Sequence, residues 1–111
     1  MTKQQQACIV RLITILQRLQ TGAALNIDAL AQEFSVSTKT IQRDLRERLY
    51  FLSLMHTEAG YKLQPYYLNL SLTKEDLQRF ATLATLQESF PILSDSFLHS
   101  LLDFQLYKST K

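Results

Sequence analysis

The sequence predicts a mainly α-helical fold carrying one small β-hairpin. Three observations lead there. Apolar residues recur at three- and four-residue spacing along much of the chain. Residues 26–48, NIDALAQEFSVSTKTIQRDLRER, read as a short helix, a tight turn and a second helix with a basic outer face. Two short stretches, 54–57 and 61–64, then flank Glu58, Ala59 and Gly60 as a hairpin. Helices followed by a hairpin form the plan of a winged helix-turn-helix, here continued by a helical linker or dimerisation segment. The predicted division is residues 1–65 for the winged helix-turn-helix and 66–111 for the helical segment.

The first helix is expected over residues 4–20. Ile9, Leu12, Ile13, Leu16 and Leu19 form its stripe, widened by Val10 and Ile15, and Gly22 supplies the left-handed residue on which helices often end. The second helix, residues 27–34, has Asn26 as N-cap and Asp28 near its positive end, with Leu30, Ala31 and Phe34 facing inward. Ser35, Val36 and Ser37 make the turn. Val36 plugs the gap between the helices and Ser37 caps the third. That helix runs from Thr38 to Leu49 or Leu52, burying Ile41, Leu45 and Leu49 and leaving Thr38, Lys39, Gln42, Arg43 and Arg46 outside.

Pro65 closes the hairpin because it cannot donate to a strand ladder. Residues 66–71 read as a further strand or an extended linker. Thr73 to Asp76 carry a capping-box pattern ahead of Leu77, Phe80, Ala81 and Ala84, and Pro91 ends that helix. Ser94 or Asp95 caps a last helix with Phe97, Leu98, Leu101, Leu102 and Leu106.

With 46% apolar residues among 111, the chain can bury a core. The net charge of +2 alone does not identify a partner, but its distribution is uneven: residues 1–64 hold eight Lys/Arg against five Asp/Glu, residues 65–111 four against five. The positive surplus lies with the helix-turn-helix. The single cysteine, Cys8, excludes an intrachain disulfide and reads as a buried thiol. No apolar run approaches membrane-spanning length and the start, MTKQQQ, has no signal-peptide layout, so a soluble protein of a bacterial cytoplasm is expected.

An enzyme is not expected. His56 and His99 lie far apart with no nucleophile or carboxylate motif beside them, and no glycine-rich phosphate loop or zinc spacing occurs, so no catalytic residue, metal or cofactor is assigned. The major groove admits one α-helix, and the third helix offers the residue types that read it. Thr38, Lys39, Gln42 and Arg43 are the expected base-edge readers. Gln pairs with adenine and Arg with guanine, each bidentate. Ser37 and Thr40 at the helix start, with Arg46 further along, are the expected phosphate contacts. Lys62, with Gly60 and Tyr61 at the hairpin tip, is a candidate for phosphate or minor groove, and a plain structural hairpin is the competing reading. Asp44 would repel phosphate, so it is given the structural task of orienting a basic neighbour. For Arg43 and Arg46 the competing reading is a solvated face paired with Asp44 or Glu47. Phe80, Phe90, Phe97, Leu101 and Phe104 are more large apolar groups than a spacer needs, so they either pack back on the winged helix or pair with a second chain. Phe80, Phe97, Leu101 and Phe104 are assigned to a dimer face, because two readers on a palindrome multiply specificity. The alternative is a protein-interaction module that uses the last two helices and docks through the winged helix.

Residues 27–52 with the hairpin ending in Gly60-Tyr61-Lys62-Leu63 resemble the N-terminal winged helix of WYL-domain transcriptional regulators, which is similar to that of the DeoR-like repressors. The signature Val-Ser-x-x-Thr-Ile-x-Arg-Asp-Leu is met by Val36, Ser37, Thr40, Ile41, Arg43, Asp44 and Leu45. Residues 66–103 look like the helical linker of those regulators, so the resemblance spans roughly residues 8–103. It implies double-stranded DNA as partner, a homodimer, and repression at an operator. The sequence departs from the pattern twice. Ser35 stands where such turns often have Gly or Asn, at a cost of about 1 kcal/mol if left-handed. The chain also holds no Trp, so the namesake motif is absent from it. The expectation is either the N-terminal part of a longer regulator or a short stand-alone relative, with no effector pocket assigned.

Overall fold

A capping box opens the first helix, α1 (Lys3–Gln20): the Thr2 hydroxyl accepts from the Gln5 amide, and the Gln5 side chain accepts from the Thr2 amide. The computed structural model describes residues 1–69, 72–90 and 92–109. Leu70, Ser71 and Pro91 therefore lie outside the described residues, together with the expectations placed on them, as does the Leu106 side chain. Along α1, Cys8, Ile9, Leu12, Ile15, Leu16 and Leu19 are buried. Val10, expected to widen this stripe, is 64% exposed. At 100° per residue it lies about 160° from Leu12, on the far side of the helix. Thr21 and Gly22 close α1 through bonds to the Arg18 and Leu19 carbonyls, Gly22 at φ 86°.

Helix α2 (Ile27–Phe34) starts at Asn26, whose side chain accepts from the Ala29 amide, and it buries Leu30 and Ala31. Phe34 and Val36 are half-buried against the core. Ser35 is left-handed, φ 55° and ψ 44°, so the residue that departs from the usual Gly or Asn does occupy the conformation those residues favour. An exposed pair between Arg18 and Glu33 ties α2 back to α1.

Helix α3 (Thr38–Arg43) is capped by Ser37 and then widens into a π-helical turn, Asp44–Arg48, closed by the Leu49 amide on the Asp44 carbonyl at 2.9 Å. A short 3-10 turn, Tyr50–Leu52, follows. The expected uninterrupted helix is therefore widened in its second half. A strict four-residue repeat drifts about 40° per step around an α-helix. The wider turn holds more residues and brings Leu49 back beneath Leu45, so Ile41, Leu45 and Leu49 are all buried.

Strands β1 (Met55–Thr57) and β2 (Gly60–Lys62) pair antiparallel with Met55 opposite Lys62, His56 opposite Tyr61 and Thr57 opposite Gly60. The hairpin is shorter than expected and Gly60 belongs to its second strand. Leu25 adds an isolated antiparallel rung to β2 from outside the hairpin, exchanging both backbone bonds with Tyr61 at 2.8 Å. Gly60 sits at φ 130°, and a Cβ there would stand 2.3 Å from the Leu25 carbonyl oxygen. Residues 66–69, expected as a further strand or an extended linker, instead lie in a 3-10 turn, Pro65–Asn69, that buries the Tyr67 ring and bonds its hydroxyl to His99 at 3.2 Å.

A second capping box, Thr73 with Asp76, opens α4 (Lys74–Leu86). Small Ala81 and Ala84 face inward, allowing α4 to lie close along α1, where the Thr85 hydroxyl reaches the buried Cys8 thiol at 3.5 Å. Ser94 caps α5 (Asp95–Ser109), which buries Leu98 and Leu102. Residues from α1 to α5 share one hydrophobic core.

The contact at Gly60 generates a test. Gly60→Ala must break the rung to Leu25 or distort β2, so it should lower stability by more than about 1 kcal/mol in urea melts, with the far-ultraviolet helix signal kept. A neutral result would mean that the rung is not needed.

Candidate nucleic-acid interface

The orientation of α3 is set from beneath. Asp44 is fully buried, and its carboxylate takes Arg11 of α1 in a two-pronged bond, Nε to Oδ2 and Nη2 to Oδ1 at 3.2 Å. Arg48, one turn on, gives Nη1 to Oδ1 at 2.7 Å. Burial alone pushes the Arg11 guanidinium down. The hydrogen bond and charge of Asp44, helped by Cys8, outweigh that and hold Arg11 above its ordinary value. Asp44 thus has a structural task, as its place on the helix suggests, but its partners are Arg11 and Arg48 rather than an outward-facing residue.

With Ile41, Asp44 and Leu45 turned inward, Thr38, Lys39, Arg43 and Arg46 are exposed, and Gln42 is half-buried at the edge. Lys39 stands in the centre of this face, and neither it nor Gln42 has a side-chain partner among the described residues. Arg43 and Arg46 are both engaged. Arg43 bridges Glu47 at 3.4 Å and Glu88, just beyond α4, at 3.0 Å. Arg46 donates Nε to the Tyr61 hydroxyl at 2.7 Å and lies 5.7 Å from the centre of that ring. His56 stacks on Tyr61 at 4.4 Å, so β1, β2 and α3 meet in one column of side chains. Of the pairings weighed from the sequence, Arg43 with Glu47 occurs. Arg46 pairs instead across to the hairpin.

At the start of α3, Ser37 Oγ accepts from the Thr40 amide at 3.1 Å and lies 3.0 Å from Thr40 Oγ1, so the two expected phosphate ligands also serve each other. Lys62 is half-buried on β2 opposite Met55, one residue beyond Tyr61 and therefore on the other face of the hairpin from the Tyr61 ring. Phe80 is placed differently from the expected dimer face: it is 4% exposed and stacks on Phe51 at 5.8 Å inside the chain, because the stripe of α4 that carries it faces the core. Phe97 and Phe104 are 42% and 59% exposed, and Leu101 packs partly against the core.

Sequence reasoning missed Arg11, Arg48 and Glu88, and it placed Tyr61 at the hairpin tip without its bond to Arg46. Arg11 could have been found: with Cys8, Leu12 and Ile15 it shares the inward side of α1, and Asp44 shares that of α3. Two opposite charges at buried positions call for each other.

Residues 11–47 match the family described as an HTH domain. The matched segment runs from Arg11 of α1 through α2 and the turn to Glu47, and so contains both ends of the Arg11–Asp44 pair. The chain carries an N-terminal helix-turn-helix DNA-binding domain of a kind used in regulators. No curated protein and no solved structure matches it. Among the described residues no helix is long and apolar enough to cross a membrane, and no group of His, Cys, Asp and Glu is placed to hold a metal ion.

Removing the Asp44 carboxylate strands two guanidiniums, one of them deeply buried. Asp44→Ala should cost about 3–5 kcal/mol, read as a fall in the thermal midpoint. A loss under about 1 kcal/mol would show that water replaces the carboxylate at little cost.

Proposed function

We propose that this protein is a sequence-specific, double-stranded-DNA-binding transcriptional regulator that acts as a homodimer on a palindromic operator, most simply as a repressor. The observation that carries the reading is the division of α3. One side is locked to α1 through Asp44, and the opposite side presents Lys39, Arg43 and Arg46 beside the hairpin. A helix held in this way lies in the major groove with its exposed side on the base edges.

In this reading Thr38, Lys39, Gln42 and Arg43 read bases, with Ser37, Thr40, Arg46 and Lys62 on phosphate. Residues 1–65 form the DNA-binding part and residues 66–111 the pairing part, while both share one core. On α5, Phe97, Leu101 and Phe104 fall at i, i+4 and i+7, one stripe for a second copy. A place beside the WYL-domain regulators of bacterial cytoplasm fits the turn signature and the helical segment after the hairpin. The hairpin supports a contact near the groove because Tyr61 holds Arg46.

Selection from a random duplex library tests the reading and yields the site. On the selected site, Arg43→Ala should cost about 1–3 kcal/mol of binding and relax preference at one base pair. Lys39→Ala should weaken binding without changing the melting temperature. An unaltered gel shift for both variants, or binding indifferent to salt, would overturn the assignment.

The pairing is tested separately. Light scattering should give twice the 12.8 kDa chain mass, and joint Phe97→Asp and Phe104→Asp should return a folded monomer with weaker operator binding. A stable complex with another protein and no duplex affinity would favour the interaction module instead.

A further inference from the structure

We propose that Glu88, in the turn after α4, is a positioning residue for the DNA reader. It is the default partner of Arg43, and DNA must take Arg43 from it. The inference rests on reading α3 as the groove helix.

Glu88 reaches α3 from 45 residues away in sequence. Its Oε1 lies 3.0 Å from Arg43 Nη2 and 3.6 Å from Arg48 Nη2. The turn that carries it is anchored twice more. The Ser89 and Phe90 amides bond the Leu86 carbonyl, and Gln87 Nε2 donates to the Glu47 carbonyl at 3.3 Å. The carboxylate is thus delivered to the edge of α3 by backbone that is itself fixed there.

The charges around it are balanced. Arg11, Arg43 and Arg48 face Asp44, Glu47 and Glu88 in one connected group. The shallow cleft between Gln5, Cys8, Thr85 and this group therefore offers no surplus positive charge to a free anion. Within the group, Arg48 is 12% exposed and fixed on buried Asp44, whereas Arg43 is 50% exposed. Arg43 is the member that can leave, and when it does Glu88 keeps Arg48 as neighbour.

Taking Arg43 from Glu88 therefore gives up one exposed ion pair, in addition to the one Arg43 makes with Glu47. Such a pair corresponds to about a two- to fivefold change in an equilibrium constant.

Three variants and their combination in the full chain decide the matter, measured on the library-selected duplex across a salt series. Glu88→Gln, which keeps size and one oxygen acceptor, should raise affinity about two- to fivefold and steepen the salt dependence, because Arg43 becomes available to DNA. The gain should vanish in the Arg43→Ala background. Glu75→Gln, the same charge change in the first turn of α4, should give no more than a small part of it. A purely structural Glu88 would lower the melting temperature and leave the salt slope alone. Unchanged affinity in Glu88→Gln, a gain that persists without Arg43, or an equal gain from Glu75→Gln overturns the proposal while leaving the DNA reading intact. A wild-type chain that selects no duplex overturns both.

Discussion

The buried carboxylate of Asp44 is the constraint on which the rest of the structure depends. A charge at 0% exposure costs several kcal/mol unless it is paired and hydrogen-bonded. Asp44 meets that demand in only one orientation of α3, the one that places it between Arg11 and Arg48. Burial of Ile41, Leu45 and Leu49 contributes about 1.5–3 kcal/mol each and favours the same side. Apolar burial alone tolerates a modest rotation of a helix about its axis, because a methyl group slides over a methyl group. A two-pronged guanidinium–carboxylate contact does not, since a shift of an ångström or two breaks it. A well-packed apolar trio in its place could be equally stable. What the ion trio adds is a fixed rotation, and with it a fixed set of outward residues.

The hairpin is registered to that helix by Tyr61. Its backbone holds Leu25, its hydroxyl holds Arg46, and its ring stacks on His56. The three contacts come from the loop before α2, from α3 and from β1, so one residue triangulates the wing. Gly60 makes this possible, since at φ 130° with the Leu25 carbonyl against its α-carbon no side chain fits. Lys62 follows in β2, paired with Met55.

What was legible in the sequence was local. Caps at Asn26, Ser37 and Thr73, the stripes of α1 and α4, and the turn at Gly60 are each set by neighbours within a few residues, and they appear close to where the pattern places them. The misses are of two kinds. Val10 reads as widening the α1 stripe and Phe80 as part of a dimer face, yet Val10 lies outside the core and Phe80 inside it. The π-helical turn, the Arg11–Asp44 pair, the Arg46–Tyr61 bond and the Glu88 contact join residues that no periodicity relates, or break the period itself. For the site, the sequence identified the residues that face outward on α3 but not which of them already have partners, and that changes their energetics.

The four basic residues between positions 39 and 48 suggest a strongly electrostatic reader. Pairing reduces that count. Arg48 is committed to Asp44, and Arg43 is matched by Glu47 and Glu88. Arg46 keeps its charge, because its partner Tyr61 is a neutral phenol, and Lys39 and Lys62 complete the set without a carboxylate. If these three, Lys39, Arg46 and Lys62, each neutralise one phosphate, the salt slope per chain is about −3 in log–log terms, at roughly 0.9 for each. Such a surface holds arbitrary duplex weakly. Discrimination must then come from directed base contacts by Arg43, Gln42 and Lys39, and from joining two such surfaces, since neither net charge nor a single helix supplies it.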